Sequence, residues 1–377
     1  MTNRDSQKLE PEWGWPTQPA TPSSSRVEDA DFGYGITEPN SEIDSSVGRE
    51  RVELAQELMT KGYHPVMIFG TRASGKSSLL ASLFHYLQSD PHSPAIALLG
   101  EWIVPIDTNY GQSVAEAAKH FFDHVVQSFY DGEAAPSTRD EYPYYIPIKL
   151  RPNNGQEEIR LAILESRGEW YHINKSSKDL FPELREEVAD VYRNYPNGIS
   201  VLLIAPYLIG EAYSDDQPSE LAVREMRESD TALLGALQAY QMERQHREFD
   251  NYLFILTKWD AHTRSIVDKD FVDPPRGLVA HLINERFPKS WTLFQTMQTD
   301  MAMSMQYSAG VMSGDARVDI PAHLQPIMQK FPKTLWGWLY SNATNGKELF
   351  IKNSRTGARQ ETGKAESFFN WLRKALT

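Results

Sequence analysis

Apolar positions along the chain fall into short blocks with two different spacings. Val52, Ala55, Leu58 and Met59 recur at helical spacing near Arg49, where ordered structure is expected to begin. Pro65-Val66-Met67-Ile68-Phe69 is an unbroken apolar run of strand length, suited to a strand buried on both faces; Gly70 ends it, and Lys76 to Leu87 reads as a helix. Ile199–Ala205 and Tyr252–Leu256 repeat the buried-strand pattern, and Met301–Tyr307 is expected to be the last strand of the sheet. Tyr144–Leu150 and Ile159–Leu164 flank Pro152-Asn153-Asn154-Gly155, which predicts a hairpin. Helical spacing covers Val114–Phe129, residues 219–246 with Met226, Leu233, Leu237 and Tyr240 on one face, Leu278–Phe287, and 364–376 with Phe368, Phe369, Leu372 and Leu376 on one side. The alternation predicts an α/β fold: a three-layer α/β/α sandwich whose sheet is mostly parallel with one antiparallel hairpin strand. In such sheets ligands sit at the carboxyl ends of the strands.

Residues 1–46 break the pattern. They are rich in Pro, Ser, Glu, Asp and Gly, which leaves too little apolar surface to offset the entropy of ordering, so a disordered tail is expected. Trp13, Trp15, Phe32 and Tyr34 leave open a partner-docking role for it. Residues 47–377 read as one domain, with long spacers near 89–136, 211–248 and 313–350 taken as insertions. No internal repeat is visible.

Composition narrows the options. The chain has 377 residues, of which 40% are hydrophobic and 11% aromatic, enough for a sizeable core. The formal net charge of −13 argues against nucleic acid and anionic membranes as partners of the bulk surface. With no cysteine, disulfides, thiolate metal sites and cysteine nucleophiles are excluded. The polar N-terminus MTNRDSQKLE does not resemble a signal peptide, and no apolar run reaches the roughly 18 residues of a membrane helix. A cytoplasmic protein without a membrane span is expected.

Three motifs carry candidate chemistry. Gly70-Thr71-Arg72-Ala73-Ser74-Gly75-Lys76-Ser77 matches G-x-x-x-x-G-K-[ST], with Ser78 next in the helix. Its glycines let the backbone turn N–H groups toward an anion, and the helix that follows adds its positive end. Lys76 is expected to reach the β- and γ-phosphates, and the Ser77 hydroxyl to ligate Mg²⁺. The strand Leu253–Leu256 runs into Thr257-Lys258-Trp259-Asp260. A carboxylate at Asp260 can accept from the N1–H and exocyclic amine of guanine, which adenine does not present together. The Lys258 stem can pack on the base. Ser308-Ala309-Gly310 can offer a backbone N–H to the guanine carbonyl. Third, Ile159–Leu164 leads into Glu165-Ser166-Arg167-Gly168-Glu169, where D-x-x-G is the usual γ-phosphate motif. Glu165 stands in for the metal-facing Asp, Gly168 can sense the γ-phosphate, and Glu169 falls where a water-orienting group sits. Thr138 is the choice for a Mg²⁺-sensing hydroxyl of a first switch, with Ser137 and Thr108 as alternatives. Arg72 and Arg167 could add transition-state charge, or serve only in positioning.

The ordered set Gly70–Ser77, Glu165–Gly168, Thr257–Asp260 and Ser308–Gly310 resembles the translation-factor-related (TRAFAC) class of P-loop GTPases. The continuation Gly168-Glu169-Trp170 and the long spacers look like a prokaryotic double-GTPase-like branch. The resemblance implies a G-domain-like P-loop fold, GTP or GDP with Mg²⁺ as cofactors, and a molecular switch acting on a protein partner. Glu165 and Glu169 depart from the pattern and put the hydrolysis rate in question. A GTP-locked scaffold with negligible turnover therefore stays open, as does an ATPase or kinase in which T-K-x-D is accidental. His120 and His124, spaced i, i+4 with Asp123 beside them, could hold Zn²⁺ but show no third ligand and read as a solvated helix face. Trp336, Trp338 and Trp371 are expected in a core or an interface.

Overall fold

The computed structural model describes residues 53–71, 73–89, 93–100, 109–132, 144–165, 189, 191, 193–207, 220–261, 274–275, 277–297, 303–315, 320–325 and 330–349. The expected tail 1–46 and the terminal helix 364–376 lie outside them. All described residues belong to one compact unit, Ser45–Thr377.

In chain order the elements are α1 (Glu53–Thr60), β1 (Tyr63–Gly70), α2 (Lys76–Ser89), β2 (Ala95–Leu99), α3 (Asn109–Tyr130), β3 (Tyr144–Pro152), β4 (Ile159–Glu165) and β5 (Ser200–Pro206). Then follow α4 (Glu220–Glu243), β6 (Asn251–Thr257), α5 (Leu278–Arg286), α6 (Pro288–Met297), β7 (Ser304–Gln306), β8 (Val311–Asp315), β9 (Ile320–Gln325) and α7 (Lys330–Ala343). Seven strands form one sheet in the order β2-β3-β4-β1-β5-β6-β7, and β8 and β9 form a separate antiparallel pair. β4, β1, β5, β6 and β7 pair in parallel, and β3 runs antiparallel to both of its neighbours. The α/β class, the mostly parallel sheet and the Tyr144–Glu165 hairpin agree with the sequence pattern. β2, inside a spacer read as an insertion, joins the sheet as its edge strand. Only Ala95 and Ala97 of its residues are buried, so its apolar pattern is too short and too small to mark it as part of the core.

Helices gather in two groups, compatible with a three-layer sandwich. In one group α2 packs with α3 and α7, through Phe84 against Phe122 and Trp336, and Trp336 Nε1 donates to Leu83 O at 2.9 Å. In a second group α4 packs with α6, and Tyr240 of α4 meets Phe69 of β1 edge to face. The expected face of α4 is buried at Met226, Leu233, Leu237 and Tyr240. Trp336 and Trp338 are core residues. Trp371 lies outside the described residues.

α4 ends in a buried polar knot. The Arg244 and Asp250 side chains are fully enclosed and pair at 2.9 Å. Arg244 also donates to the carbonyls of Tyr195 and Asn197, while Asp250 accepts from Ile199 N at 2.9 Å and from the Tyr240 hydroxyl at 2.7 Å. Burial, then the Asp250 carboxylate, push the Tyr240 hydroxyl well above its ordinary pKa, so it stays a donor. The knot joins the end of α4 to the starts of β5 and β6, and it fixes their parallel register. Asp250→Asn leaves a buried guanidinium underpaired and is expected to cost about 3–5 kcal/mol of stability, measured by urea unfolding.

At the same sheet edge, His64 Nε2 lies 2.9 Å from Ser200 Oγ, which accepts from Asn342 Nδ2 at 3.0 Å. Burial lowers the His64 pKa to about 4. The folded chain holds the imidazole neutral, whereas the unfolded chain takes up a proton below about pH 6.5. Stability is therefore full above that pH and falls as the pH drops toward 4, by up to about 3 kcal/mol. His64→Gln should flatten this part of a stability–pH profile.

Candidate functional site

Parallel pairing sets where the candidate residues meet. Gly70, the last residue of β1, is level with Ile204 of β5, and Pro206 is level with Thr257 of β6. The loops after β1, β5, β6 and β7 thus leave one edge of the sheet.

The loop after β1 is tightly wound. Ala73 and Gly75 hold φ of 56° and 90°, two left-handed residues on either side of Ser74, and Ser74 N donates to Thr71 O at 3.2 Å. Gly75 needs no Cβ for its conformation. Gly70 is required by close approach: a Cβ there would lie 2.7 Å from Ser74 Oγ and 3.0 Å from Ile204 O. α2 then starts at Lys76, with Leu79 N donating to Gly75 O at 2.9 Å. The first-turn amides of this helix, including those of Ser77 and Ser78, point out of its N-terminus toward the loop. The Lys76 side chain is buried and folds back over the loop, donating to Gly70 O at 2.8 Å and Thr71 O at 3.2 Å. Ser74 Oγ is buried without a hydrogen-bond partner among the described residues. Backward-wound amides, an ammonium and a spare hydroxyl at a helix start can together receive a multiply charged anion.

The end of β6 touches this loop directly. Thr257 Oγ1 donates to Ser74 O at 2.5 Å, and the Thr257 side chain covers Gly75, 3.5 Å from where a Cβ would stand. Lys258 turns the chain with φ of 55°, and burial lowers its pKa while the nearby Asp260 carboxylate works the other way. Trp259 is fully buried, and its backbone N–H donates to Tyr307 O at 3.2 Å, which joins this turn to the loop after β7. In that loop Ser308 Oγ donates to Asp260 Oδ1 at 2.7 Å. The bond orients the carboxylate and leaves Oδ2 and a second lone pair of Oδ1 for further donors. Ala309 and Gly310 follow in the same loop. The structure thus brings Gly70, Thr71, Ala73, Ser74, Gly75, Lys76, Ser77, Ser78, Thr257, Lys258, Asp260, Ser308, Ala309 and Gly310 to one edge.

Glu165 is the last residue of β4, next to β1 in the sheet. Arg72, Thr108, Ser137, Thr138, Arg167, Gly168 and Glu169 lie outside the described residues. His120 and His124 are exposed on α3 with ring centres 5.7 Å apart, and among the described residues no group of three or more His, Cys, Asp or Glu could hold a metal. No helix among the described residues is long and apolar enough to cross a membrane.

Two contacts at the site were silent in the sequence. The Thr71 and Ser229 hydroxyls meet at 2.7 Å, and the Arg286 guanidinium lies 4.0 Å over the Tyr207 ring while donating to Tyr207 O at 2.9 Å. Each pair lies far apart in the chain, and no local motif announces either.

Thr257→Val keeps shape but leaves the Ser74 carbonyl without its hydroxyl donor. The expected cost is about 1–3 kcal/mol, read as a lower urea midpoint with the slope unchanged. Compared with known proteins, the chain matches no family model and no curated protein.

Proposed function

We propose that this protein is a GTP-binding, Mg²⁺-dependent molecular switch of the G-domain type, which hydrolyses GTP slowly or on contact with a protein partner. One observation carries the reading: Thr257 of T-K-x-D is bonded to the carbonyl of Ser74 in the phosphate loop, so the base-reading and phosphate-cradling motifs meet at one sheet edge. The chemistry of the donors supports a triphosphate, with Lys76, the turned backbone around Ser74 and the start of α2 as its cradle. Guanine is favoured over adenine because Asp260, held by Ser308, presents an acceptor that only a base with adjacent N1–H and amine donors can satisfy. The strand order, with the antiparallel β3 beside β4 and β4 beside β1, supports a G-domain-like P-loop arrangement.

Mg²⁺ would be held by the Ser77 hydroxyl, with Thr138 and Glu165 as further candidates, and would neutralise phosphate charge. Gly168 would sense the γ-phosphate, and Glu169 would orient water as an acceptor only. Glu165 is one methylene longer than the usual Asp, which favours a second reading: a scaffold that holds GTP with negligible turnover. Single-turnover hydrolysis of bound GTP separates the two readings.

The test of binding is competition for a fluorescent guanine nucleotide with Mg²⁺. GTP and GDP should displace it and ATP should not. Lys76→Ala should abolish binding, and Asp260→Asn should weaken GTP by about 10–100-fold while ATP still fails to compete. Equal competition by ATP would defeat the guanine assignment and leave a generic triphosphate site.

A further inference from the structure

The phosphate loop has a fastening that neither T-K-x-D nor the lysine provides. Thr71 is buried, and its hydroxyl bonds at 2.7 Å to the hydroxyl of Ser229, which is buried on α4. The backbone carbonyl of the same Thr71 receives Lys76 Nζ and Ser74 N, each at 3.2 Å. The orientation of Thr71 therefore bears on where the ammonium sits and how the loop turns.

The next residue of α4 does something different. Asp230 is buried, and its carboxylate accepts from Ser290 N at 2.9 Å, Lys289 N at 3.2 Å and Ser290 Oγ at 2.7 Å, while Ser290 Oγ also lies 2.9 Å from Asp230 O. These amides belong to the first turn of α6, where Pro288 leads and Phe287 precedes it. Phe287 has no side-chain acceptor, so the cap that α6 lacks locally is supplied by Asp230 across the fold. One turn of α4 thus grips the phosphate loop with one residue and the start of α6 with the next. Adjacent residues of a packed helix cannot move independently, because a buried helix shifts as a unit.

We propose that Ser229 is a positioning residue for the phosphate loop, and that through Asp230 it couples occupancy of that loop to the N-terminal turn of α6. This rests on the nucleotide reading above. Binding that settles the loop around an anion steadies Thr71, hence Ser229, hence the Asp230 cap.

Amide hydrogen exchange on the full chain, with and without saturating Mg²⁺·GDP, tests it. In the wild type, nucleotide should slow exchange across 70–78 and also at Lys289 and Ser290. Ser229→Ala should weaken GDP by about fivefold. At saturation this variant should keep the slowing at 70–78 and lose it at Lys289 and Ser290. Thr71→Val should behave the same way, the double variant no worse, and Thr71→Ser, which keeps the hydroxyl, like the wild type. A merely structural role for Ser229 would change exchange equally with and without nucleotide. Slowing at 70–78 with none at Lys289 and Ser290, or slowing there that survives Ser229→Ala, overturns this proposal alone. No slowing at 70–78 in the wild type overturns the nucleotide reading and this proposal with it.

Discussion

Parallel pairing of β4, β1, β5, β6 and β7 is the constraint on which the rest depends. A parallel strand cannot be reached by a tight turn, so the chain must travel back along a face of the sheet before each new strand. Every loop that follows one of these strands then opens at the same edge. Gly70, Glu165, Thr257 and Gln306 end their strands there, although they are spread over more than half the chain. The polar knot of Arg244 and Asp250 works at the opposite edge. It binds the end of α4 to the starts of β5 and β6 and so holds the register that levels Pro206 with Thr257.

Buried hydroxyls do much of the positioning at the candidate site. Thr257 bonds to Ser74 O, Thr71 to Ser229, Ser308 to Asp260, and Ser82 to the Tyr307 hydroxyl. A hydroxyl is small, both donates and accepts, and costs less to bury than a charge. Three of these bonds tie a loop residue to a strand or helix, and the Ser308–Asp260 bond ties the loop after β7 to the loop after β6. The loop after β1 is therefore held by hydrogen bonds from β6 and α4 within the chain itself.

Several structural features were legible in the residues alone. Pro65–Phe69, Val201–Ala205 and Tyr252–Leu256 are continuous apolar runs of strand length, and burial on both faces demands that pattern. The hairpin of β3 and β4 announced itself through Asn153-Asn154-Gly155 between apolar runs. The tight turn after β1 was recognisable because Gly70 and Gly75 bracket it just before a helix start, where a Cβ would clash or the backbone must be left-handed. Other features were hidden. β2 offers only five residues with two small buried alanines, so its strand nature depends on the β3 edge it pairs with. α6 follows α5 after one residue and starts with Pro288, and a sequence pattern reads the pair as one helix and its end.

The sequence by itself determined which segments must be buried, where glycines let the backbone turn tightly before a helix start, and that a carboxylate follows an apolar strand at Asp260. Those properties are local: they follow from side-chain polarity, from glycine's freedom and from spacing along a few residues. Only the tertiary structure decided that Thr257 would close over Gly75, that Ser308 would orient Asp260, and that Ser229 and Asp230 would hold the loop after β1 and the start of α6 from one turn of α4. These contacts join residues from 48 to 183 positions apart. They depend on strand order and register, which are set by how the whole core packs and not by any short stretch of chain.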